Sequence, residues 1–283
     1  MPFRAFSSAS ASAPLLAAPL AVAVFAAVAR ADVSSDILSK VETDANSIGR
    51  KLAADDGSAD DSEDKIALGS ALSSGNTESG GATAMFEARQ KFGKAELRAA
   101  FDAAYEEQRL RESETGRRYD ERTKGNSKAT AHVERRLAGY YAFAAAAGMN
   151  DDVSKVRFRA VETGGVGTYL CDERGVSASV EIGPAAIQQK LANDRDSFHG
   201  VRAAERLEWK PEGKSMRVWQ GVEAIWDAPD PGRAIYSGHL GAEAPLASGF
   251  SLLAKASADY DTEPAEGAEK ADCKFSAMLA YTF

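Results

Sequence analysis

Apolar and polar side chains alternate along most of the chain, from Lys65 to the last residue, Phe283. In the segment 94–108, for example, every odd position from Leu97 to Tyr105 is apolar, and charged residues lie between them. Alternation with a period of two is the pattern of a β-strand with two different faces. It predicts about twelve strands, at 65–74, 81–92, 94–108, 124–137, 140–149, 156–170, 175–187, 198–210, 216–227, 234–244, 250–261 and 273–283.

The connections between these predicted strands alternate in length. Odd-numbered strands lead into even-numbered ones through longer, charged connections, at 74–80, 109–123, 150–155, 188–197, 228–233 and 262–272. Even-numbered strands lead into odd-numbered ones through short connections, most of which contain glycine or proline, at 93, 138–139, 171–174, 211–215 and 245–249. Short turns at one end and long loops at the other predict an up-and-down antiparallel β-barrel that spans a membrane, with its turns in the periplasm.

The final predicted strand is amphipathic to its last residue. Counting back from Phe283, every second side chain as far as Cys273 is apolar or aromatic. An aromatic chain end suits a membrane interface, where the ring lies at headgroup level beside a hydrated carboxylate. This ending resembles the closing strand of outer-membrane barrels, which implies two partners, the lipid of that membrane and the barrel-assembly machinery that recognises the strand ending in Phe283.

A soluble β-sandwich would show the same alternation, with the apolar face in its core and the charged face in water. Periodicity therefore does not separate the two folds. Alanine is the commonest apolar residue in many of the predicted strands. Small side chains fill a sandwich core poorly but are tolerated against fluid lipid, and so the membrane barrel is favoured.

The N-terminal segment has the features of a secretory signal peptide. Arg4 precedes an apolar run, and Ala29-Arg30-Ala31 provides a small-residue cleavage site, which predicts a signal peptide over 1–31. Residues 32–63 are predicted to form a periplasmic helix followed by an acidic linker without periodicity. The barrel is predicted over 64–283, in the outer membrane of a Gram-negative bacterium.

Composition narrows the functional classes. The chain has 34 Lys and Arg against 42 Asp and Glu, a net charge of -8, which gives no electrostatic basis for binding nucleic acid. No part of the predicted mature chain has the run of about 20 apolar residues that a transmembrane helix needs. The two cysteines, Cys171 and Cys273, are expected near opposite ends of the barrel and therefore not bridged to each other.

Several segments resemble a known family. The first predicted strand runs into Ser74-Gly75-Asn76-Thr77, and further similar segments occur at 150–152, 164–169 and 204–206. In these segments the chain is similar to the outer-membrane family named "salt-induced outer membrane protein", over roughly 64–283. The resemblance implies an outer-membrane β-barrel and supplies neither catalytic residues nor a cofactor.

Any chemistry is expected inside the barrel, where the charged faces of the strands point. Signs are mixed, so the lumen is predicted to be either a narrow, weakly selective pore for small solutes or ions, or a lumen closed by salt bridges in a structural or osmotic-stress barrel. The lumen-lining candidates are Arg89, Arg98, Asp102, Glu134, Arg136, Arg157, Arg159, Glu181, Arg202, Arg206, Glu223, Lys255 and Asp259.

Two positions fit the strand pattern badly. Pro184 lies within the seventh predicted strand, where it removes a backbone donor, and so a bulge or an early end of pairing is expected there. Glu205 shares a face with Val201 and Trp209 in the eighth strand. That arrangement predicts either an inward-turned bulge at Glu205 or a slip in the register.

An enzymatic function is the most remote hypothesis. His199 is close in sequence to Asp194, Asp196 and Ser197, which would place a hydrolase at the outer rim of the barrel. These residues are too close in sequence to orient one another as a catalytic triad, so the chain is expected not to be an enzyme. No group of His, Cys and acidic residues has the spacing of a metal site, and neither a metal nor a cofactor is predicted.

Overall fold

A computed structural model describes residues 61–74, 79–111, 118–121, 125–152, 154–191, 194–211 and 216–283. The predicted signal peptide and helix lie outside the described residues, as does the predicted linker up to residue 60. Within the described part, no helix is long and apolar enough to cross a bilayer. The described residues form thirteen strands: β1 Asp61–Ser74, β2 Ser79–Phe92, β3 Ala95–Arg111, β4 Arg118–Glu121, β5 Gly125–Arg136, β6 Tyr141–Asp151, β7 Val156–Glu173, β8 Val176–Leu191, β9 Asp194–Trp209, β10 Arg217–Asp227, β11 Ala234–Ala247, β12 Phe250–Asp261 and β13 Ala271–Thr282.

Twelve of these strands form a closed antiparallel ring. Each pairs with its neighbours along the chain, β3 pairs with β5, and β1 pairs with β13 to close the ring. Within the described residues, the short strand β4 pairs only with the last four residues of β3, 108–111, and lies outside the ring. Closure gives each of these twelve strands a neighbour on both sides, as a membrane barrel requires. The predicted fold class, an all-β up-and-down barrel of about twelve strands, is confirmed.

The ring strands match the predicted segments to within a few residues at each end, but two boundaries differ. Strand β4 was predicted as part of a loop, because four residues rich in charge show no alternation. Strand β1 begins at Asp61, so the last three residues of the predicted linker belong to the barrel. Their backbone pairs with the end of β2, opposite Arg89, Gln90 and Lys91.

The tight turns gather at one end of the barrel. Arg174-Gly175 and Ser248-Gly249 each join two strands with a positive φ at both residues, the conformation of the two-residue hairpin turn that matches strand twist. The backbone N–H of Phe283 donates to the carbonyl of Asp64 at 3.0 Å, so the chain end lies beside the start of β1 at this same end. We call it the turn end, and the opposite one the loop end.

The two cysteines lie towards opposite ends of this topology. Cys171 is near the turn end of β7, and Cys273 is near the loop end of β13. Both thiols are exposed and free. Their placement along the strands agrees with the expectation that they do not pair with each other.

Neither the bulge expected at Pro184 nor the bulge or register slip expected at Glu205 occurs. Strand β8 continues seven residues beyond Pro184 in unchanged register, although its pairing with β7 is interrupted at Gly183 and Pro184. The Thr163 hydroxyl donates to the Pro184 carbonyl at 3.0 Å, so that oxygen is satisfied. Around Glu205 the register of β9 is constant against β8 and β10, without a bulge, and Glu205 faces outward and is exposed.

The barrel interior contains two apolar clusters beside its charged wall. One joins β1, β2, β10, β12 and β13, through Ala67, Met85, Trp219, Leu253, Met278 and Ala280. The other lies nearer the loop end and joins β8, β9 and β10, through Ala185, Ile187, Phe198 and Ile225. The charged network described next lies mainly on the strands from β2 to β9, so the two sides of the lumen differ in polarity.

Candidate functional site: the polar lumen

Glu181 is the centre of the larger polar cluster in the lumen. Its side chain is 3% exposed, and its carboxylate lies 2.9 Å from His132 Nε2. It accepts hydrogen bonds from the Tyr141 hydroxyl at 3.1 Å and from Arg202 Nη1 at 2.8 Å. Arg202 Nε in turn donates to Glu223 at 2.5 Å. The inward faces of β5, β6, β8, β9 and β10 are thereby connected through one carboxylate.

Glu134 forms a second cluster nearer the turn end. Its side chain is 1% exposed and is contacted by the Arg98 guanidinium and the Tyr169 hydroxyl. Arg98 also lies 3.4 Å from Glu96, and Glu96 accepts two hydrogen bonds from Arg89, at 2.8 and 3.2 Å. Arginines and glutamates therefore alternate from β2 across β3 to β5. Pairing of this kind offsets the cost of burying the ions, because each charge has a partner of opposite sign in a poorly hydrated place.

Two cavities, of about 430 and 490 Å³, occupy the lumen. Four side chains line both of them: Arg89, Arg98, Arg206 and Glu208. These residues therefore form the boundary between the cavities, which we call the arginine constriction.

Arg206 differs from the other arginines of the constriction. Its nearest carboxylate oxygen within the described residues belongs to Glu181, at 4.0 Å, and that carboxylate is already bound by Arg202. The Arg206 side chain is 33% exposed. Its guanidinium therefore faces the open space of the lumen.

The cavity at the turn end is predominantly basic. Eight of its lining residues are cationic: Arg89, Lys91, Lys94, Arg98, Arg136, Arg174, Arg206 and Lys210. Five are acidic: Glu96, Glu134, Asp172, Glu173 and Glu208. An excess of cations within a low-dielectric wall raises the local concentration of anions.

The lumen is crossed by ion pairs towards the loop end. Arg159 on β7 donates to Asp261 at the end of β12 at 2.5 Å. Lys255 on β12 donates to Asp102 on β3 at 2.8 Å. The partners in each pair are several strands apart around the ring, so these side chains reach across the interior and narrow it.

Two loops also meet over the mouth at the loop end. The Ser154 hydroxyl, between β6 and β7, donates to Asp272 at the start of β13 at 2.6 Å. Lys155 Nζ donates to the backbone carbonyl of Glu266 at 2.8 Å. Strands β7 and β13 lie on opposite sides of the ring. The connection 262–270 therefore covers part of this mouth.

Most of the residues predicted to line the lumen do so. Nine line one or both cavities: Arg89, Arg98, Glu134, Arg136, Arg159, Arg202, Arg206, Glu223 and Asp259. Glu181, Asp102 and Lys255 form the lumenal contacts described above. Arg157 is the exception, because it lies at a register shift between Val156 and Phe158, is exposed and lines neither cavity.

The aromatic residues of the lumen and the glycines opposite them were not among the predicted site residues. Tyr141 is fully buried and directly opposite Gly167, where an added Cβ would lie 2.4 Å from the Tyr141 ring. Trp219 is opposite Gly241 in the same way, with a corresponding distance of 2.2 Å. Each ring lies over the glycine of the neighbouring strand. A glycine opposite an aromatic residue in two adjacent strands is the signal that would have revealed these contacts.

Three potential metal ligands meet in the lumen, although the sequence spacing predicted no such group. One ligand atom from each of His132, Glu134 and Glu181 lies within 4.8 Å of the others. Because they come from β5 and β8, which have two strands between them in the ring, spacing along the chain did not reveal them. Arg98 binds Glu134 and Arg202 binds Glu181. These guanidiniums neutralise the carboxylates and would repel a cation, so the trio fits a salt-bridge network better than a metal site.

The rim residues considered for hydrolysis do not assemble. The Asp196 carboxylate is bound by Arg233 and Gln189 on the inward face of the wall. His199 lies three residues further along β9, and so on the outward face, where it is exposed. The two side chains therefore lie on opposite sides of the wall.

The outer surface has two aromatic belts with an apolar band between them. Near the loop end, Trp226 and Tyr236 have ring centroids 6.2 Å apart, and Tyr260 continues this belt. Near the turn end, Phe250 and Tyr281 are 4.9 Å apart. The ten-residue separation of Phe250 and Tyr260 along a tilted strand corresponds to about 25 Å of depth. That matches the apolar band of a membrane barrel.

Comparison with known proteins identifies one family. Residues 66–283 match the family described as "Protein of unknown function, DUF481". The name "salt-induced outer membrane protein" is not part of that description and stays a prediction. No curated protein matches the chain.

Solved structures with related shapes include porins. The NanC porin has 5% identity and a TM-score of 0.49, with 76% of this chain and 98% of that one covered. An anion-selective porin from Comamonas acidovorans has 9% identity and a TM-score of 0.38, with 79% and 99% covered. Similarities at this level carry no argument about function, and the barrel fold is established by this chain's own strand pairing.

Proposed function

The chain belongs to the DUF481 family, and because the function of that family is unknown, we propose one from the lumen itself. The protein is a narrow passive channel in the outer membrane of a Gram-negative bacterium, with a weak preference for small anions. The observation that carries this proposal is the arginine constriction, where the guanidiniums of Arg89, Arg98 and Arg206 outnumber the single carboxylate of Glu208 among the residues that line both cavities.

The position in the membrane is supported by the exterior of the barrel. Long aliphatic side chains that are half or more exposed lie between the two aromatic belts, among them Leu68, Leu240, Leu252 and Leu279. A surface of this kind is stable against lipid and would aggregate in water. Phe283 is 67% exposed at the turn end. That exposure suits the proposed recognition of the last strand by the barrel-assembly machinery.

The preference for anions follows from the charge balance at the constriction. Arg89 and Arg98 are neutralised by Glu96 and Glu134, whereas Arg206 has no carboxylate of its own. A solute in either cavity therefore meets one uncompensated guanidinium. The basic lining of the turn-end cavity acts in the same direction, because its field attracts anions to the constriction.

A closed barrel with a structural role is the second candidate function. The contacts Arg159 to Asp261 and Lys255 to Asp102 cross the lumen, and the 262–270 connection covers part of the mouth. If these contacts persist, solutes do not pass, and the lumenal charges serve only to stabilise the wall. The two candidates make opposite predictions for current across a bilayer.

Charge removal at Arg206 is expected to weaken selectivity. In planar bilayers the protein should give small, stepwise currents, with a reversal potential in a KCl gradient that indicates preference for chloride. A unit charge about 5 Å from a permeating ion in a water-like medium contributes about 0.8 kcal/mol. That charge attracts chloride and repels potassium by this amount each, so Arg206→Gln should lower the chloride-to-potassium permeability ratio about 16-fold, read from the shift in reversal potential.

The matched control is Arg135→Gln. Arg135 is exposed near the turn end of β5 and lines neither cavity, so its replacement should leave the ratio unchanged. An equal shift in both variants would show that Arg206 has no special part in selectivity. Correctly inserted protein that carries no current would rule out the channel and favour the closed barrel.

A further inference from the structure

The outer wall carries a polar pair within its apolar band. Glu205 on β9 faces outward together with its directly opposite neighbour Val222, which is 51% exposed. Gln220 on β10 lies on the same face, and its Nε2 donates to Glu205 Oε1 at 2.7 Å. Within the described residues, no basic side chain forms an ion pair with Glu205. The Glu205 carboxylate is therefore stabilised by one hydrogen bond, from the uncharged Gln220 amide.

This pair lies deep in the band. Glu205 is four residues from Trp209, the exposed aromatic residue at the turn end of β9. Gln220 is six residues from Trp226, which belongs to the aromatic belt near the loop end. For tilted strands these separations correspond to about 10 Å and about 15 Å of depth. A carboxylate at such a depth is costly against hydrocarbon, so lipid is a poor neighbour for this part of the wall.

Most of the outward side chains around the pair are short. The outward neighbours on β8, β9 and β10 are Ala178, Val180, Ile182, Val201, Ala203, Leu207, Val218, Val222 and Ala224, of which only Ile182 and Leu207 are longer than valine. The wall at β13 and β1 instead presents longer side chains, such as Phe275, Leu279 and Leu72, which are about half exposed or more. Small residues with a few polar groups are typical of protein contacts within membranes, because they allow close approach and supply hydrogen bonds.

We propose that the outward face of β8, β9 and β10, centred on Glu205 and Gln220, is the contact between two copies of this chain in the membrane. An ionised carboxylate only accepts hydrogen bonds, whereas the Gln220 amide has two N–H groups and uses one of them on Glu205 of its own chain. In a dimer with a two-fold axis beside β9 and β10, the second N–H of each amide is available to donate to the carboxylate of the other copy. The donor and acceptor of one copy thus match the acceptor and donor of the other, as an isologous contact requires.

The experiment measures the monomer–dimer equilibrium of the refolded protein in detergent and in lipid nanodiscs, by native mass spectrometry. The natural chain should dimerise, and Glu205→Leu should raise the dissociation constant about tenfold or more. Glu205→Gln, which retains a hydrogen-bonding side chain, should dimerise nearly as well as the natural chain. Ser70→Leu, on the outward face of β1, is the matched control and should leave the equilibrium unchanged. A folded-barrel shift on an unheated gel confirms that each variant has folded.

Cross-linking gives an independent measurement. In a chain whose Cys171 and Cys273 are replaced by serine, Val222→Cys should form a disulfide between copies when an oxidant is added to membranes. Leu68→Cys, on the far side of the ring, should not. A natural chain that stays monomeric, or equal cross-linking at both positions, would overturn the proposal. Glu205 would then face lipid or contact a different protein. None of these measurements depends on whether the lumen conducts.

Discussion

Glu181→Ala is expected to lower the unfolding free energy of the barrel by about 3–5 kcal/mol, the usual cost of removing one partner of a buried ion pair. The Glu181 side chain is 3% exposed and the Arg202 side chain is 8% exposed. Without the carboxylate, Arg202 keeps only Glu223, and the Tyr141 hydroxyl and His132 each lose a partner. The loss is measured by urea denaturation in lipid vesicles, followed by tryptophan fluorescence.

Two further variants isolate the cause of that loss. Glu181→Gln retains an oxygen acceptor but no charge, so it should be destabilised by less than the alanine variant. Glu173→Ala, at the exposed turn before Gly175, removes a carboxylate from solvent and should change stability by about 0.5 kcal/mol or less. If Glu181→Ala resembled Glu173→Ala, the network around Glu181 would not contribute to stability.

The second large effect is expected at the closing seam between β1 and β13. Gly69 is directly opposite Met278 in this seam. A Cβ at Gly69 would lie 2.0 Å from the carbonyl oxygen of Ala277 and 2.6 Å from the Met278 Cα. Both are backbone atoms, so no side chain can rotate away and the two strands must separate. Gly69→Ala should therefore cost about 3 kcal/mol or more.

The fraction of protein that migrates as a folded barrel on unheated gels measures closure of this seam. Gly69→Ala should lose most of that band under conditions in which the natural chain folds. Gly125→Ala is the matched control, because a Cβ there would lie 3.8 Å from the nearest atom, the Ala104 carbonyl oxygen, which is ordinary contact. Normal folding of Gly69→Ala would show that the seam is looser than its close approach indicates.

The strands and their order were predictable because alternation and connection length are local properties of the sequence. Alternation assigns each side chain to a face, and so the inward positions of Arg98 and Arg206 followed from it directly. The same pattern fails where the backbone departs from regular pleating. Arg157, at the register shift of β7, is the example.

The partners of the lumenal side chains were not predictable. Lys255 meets Asp102, 153 residues away, and that contact depends on how far strands are displaced around the ring. The contact between His132 and Glu181 depends on the same displacement, since two strands lie between β5 and β8. Glu205 shows a different limit. Its acidic side chain was expected to avoid the outward face, but the regular pairing of β9 with both neighbours holds it there.

The seam between the first and the last strand also has a kinetic consequence. Lys65 pairs with Thr282, so the ring is completed only when β13 meets β1. The barrel therefore cannot close until β13 has been synthesised. Pairing of two strands so far apart in sequence is slow, because the chain between them loses conformational entropy before their contact stabilises the fold. Until then β1 presents an unpaired edge, and the unclosed sheet must be kept apart from other chains.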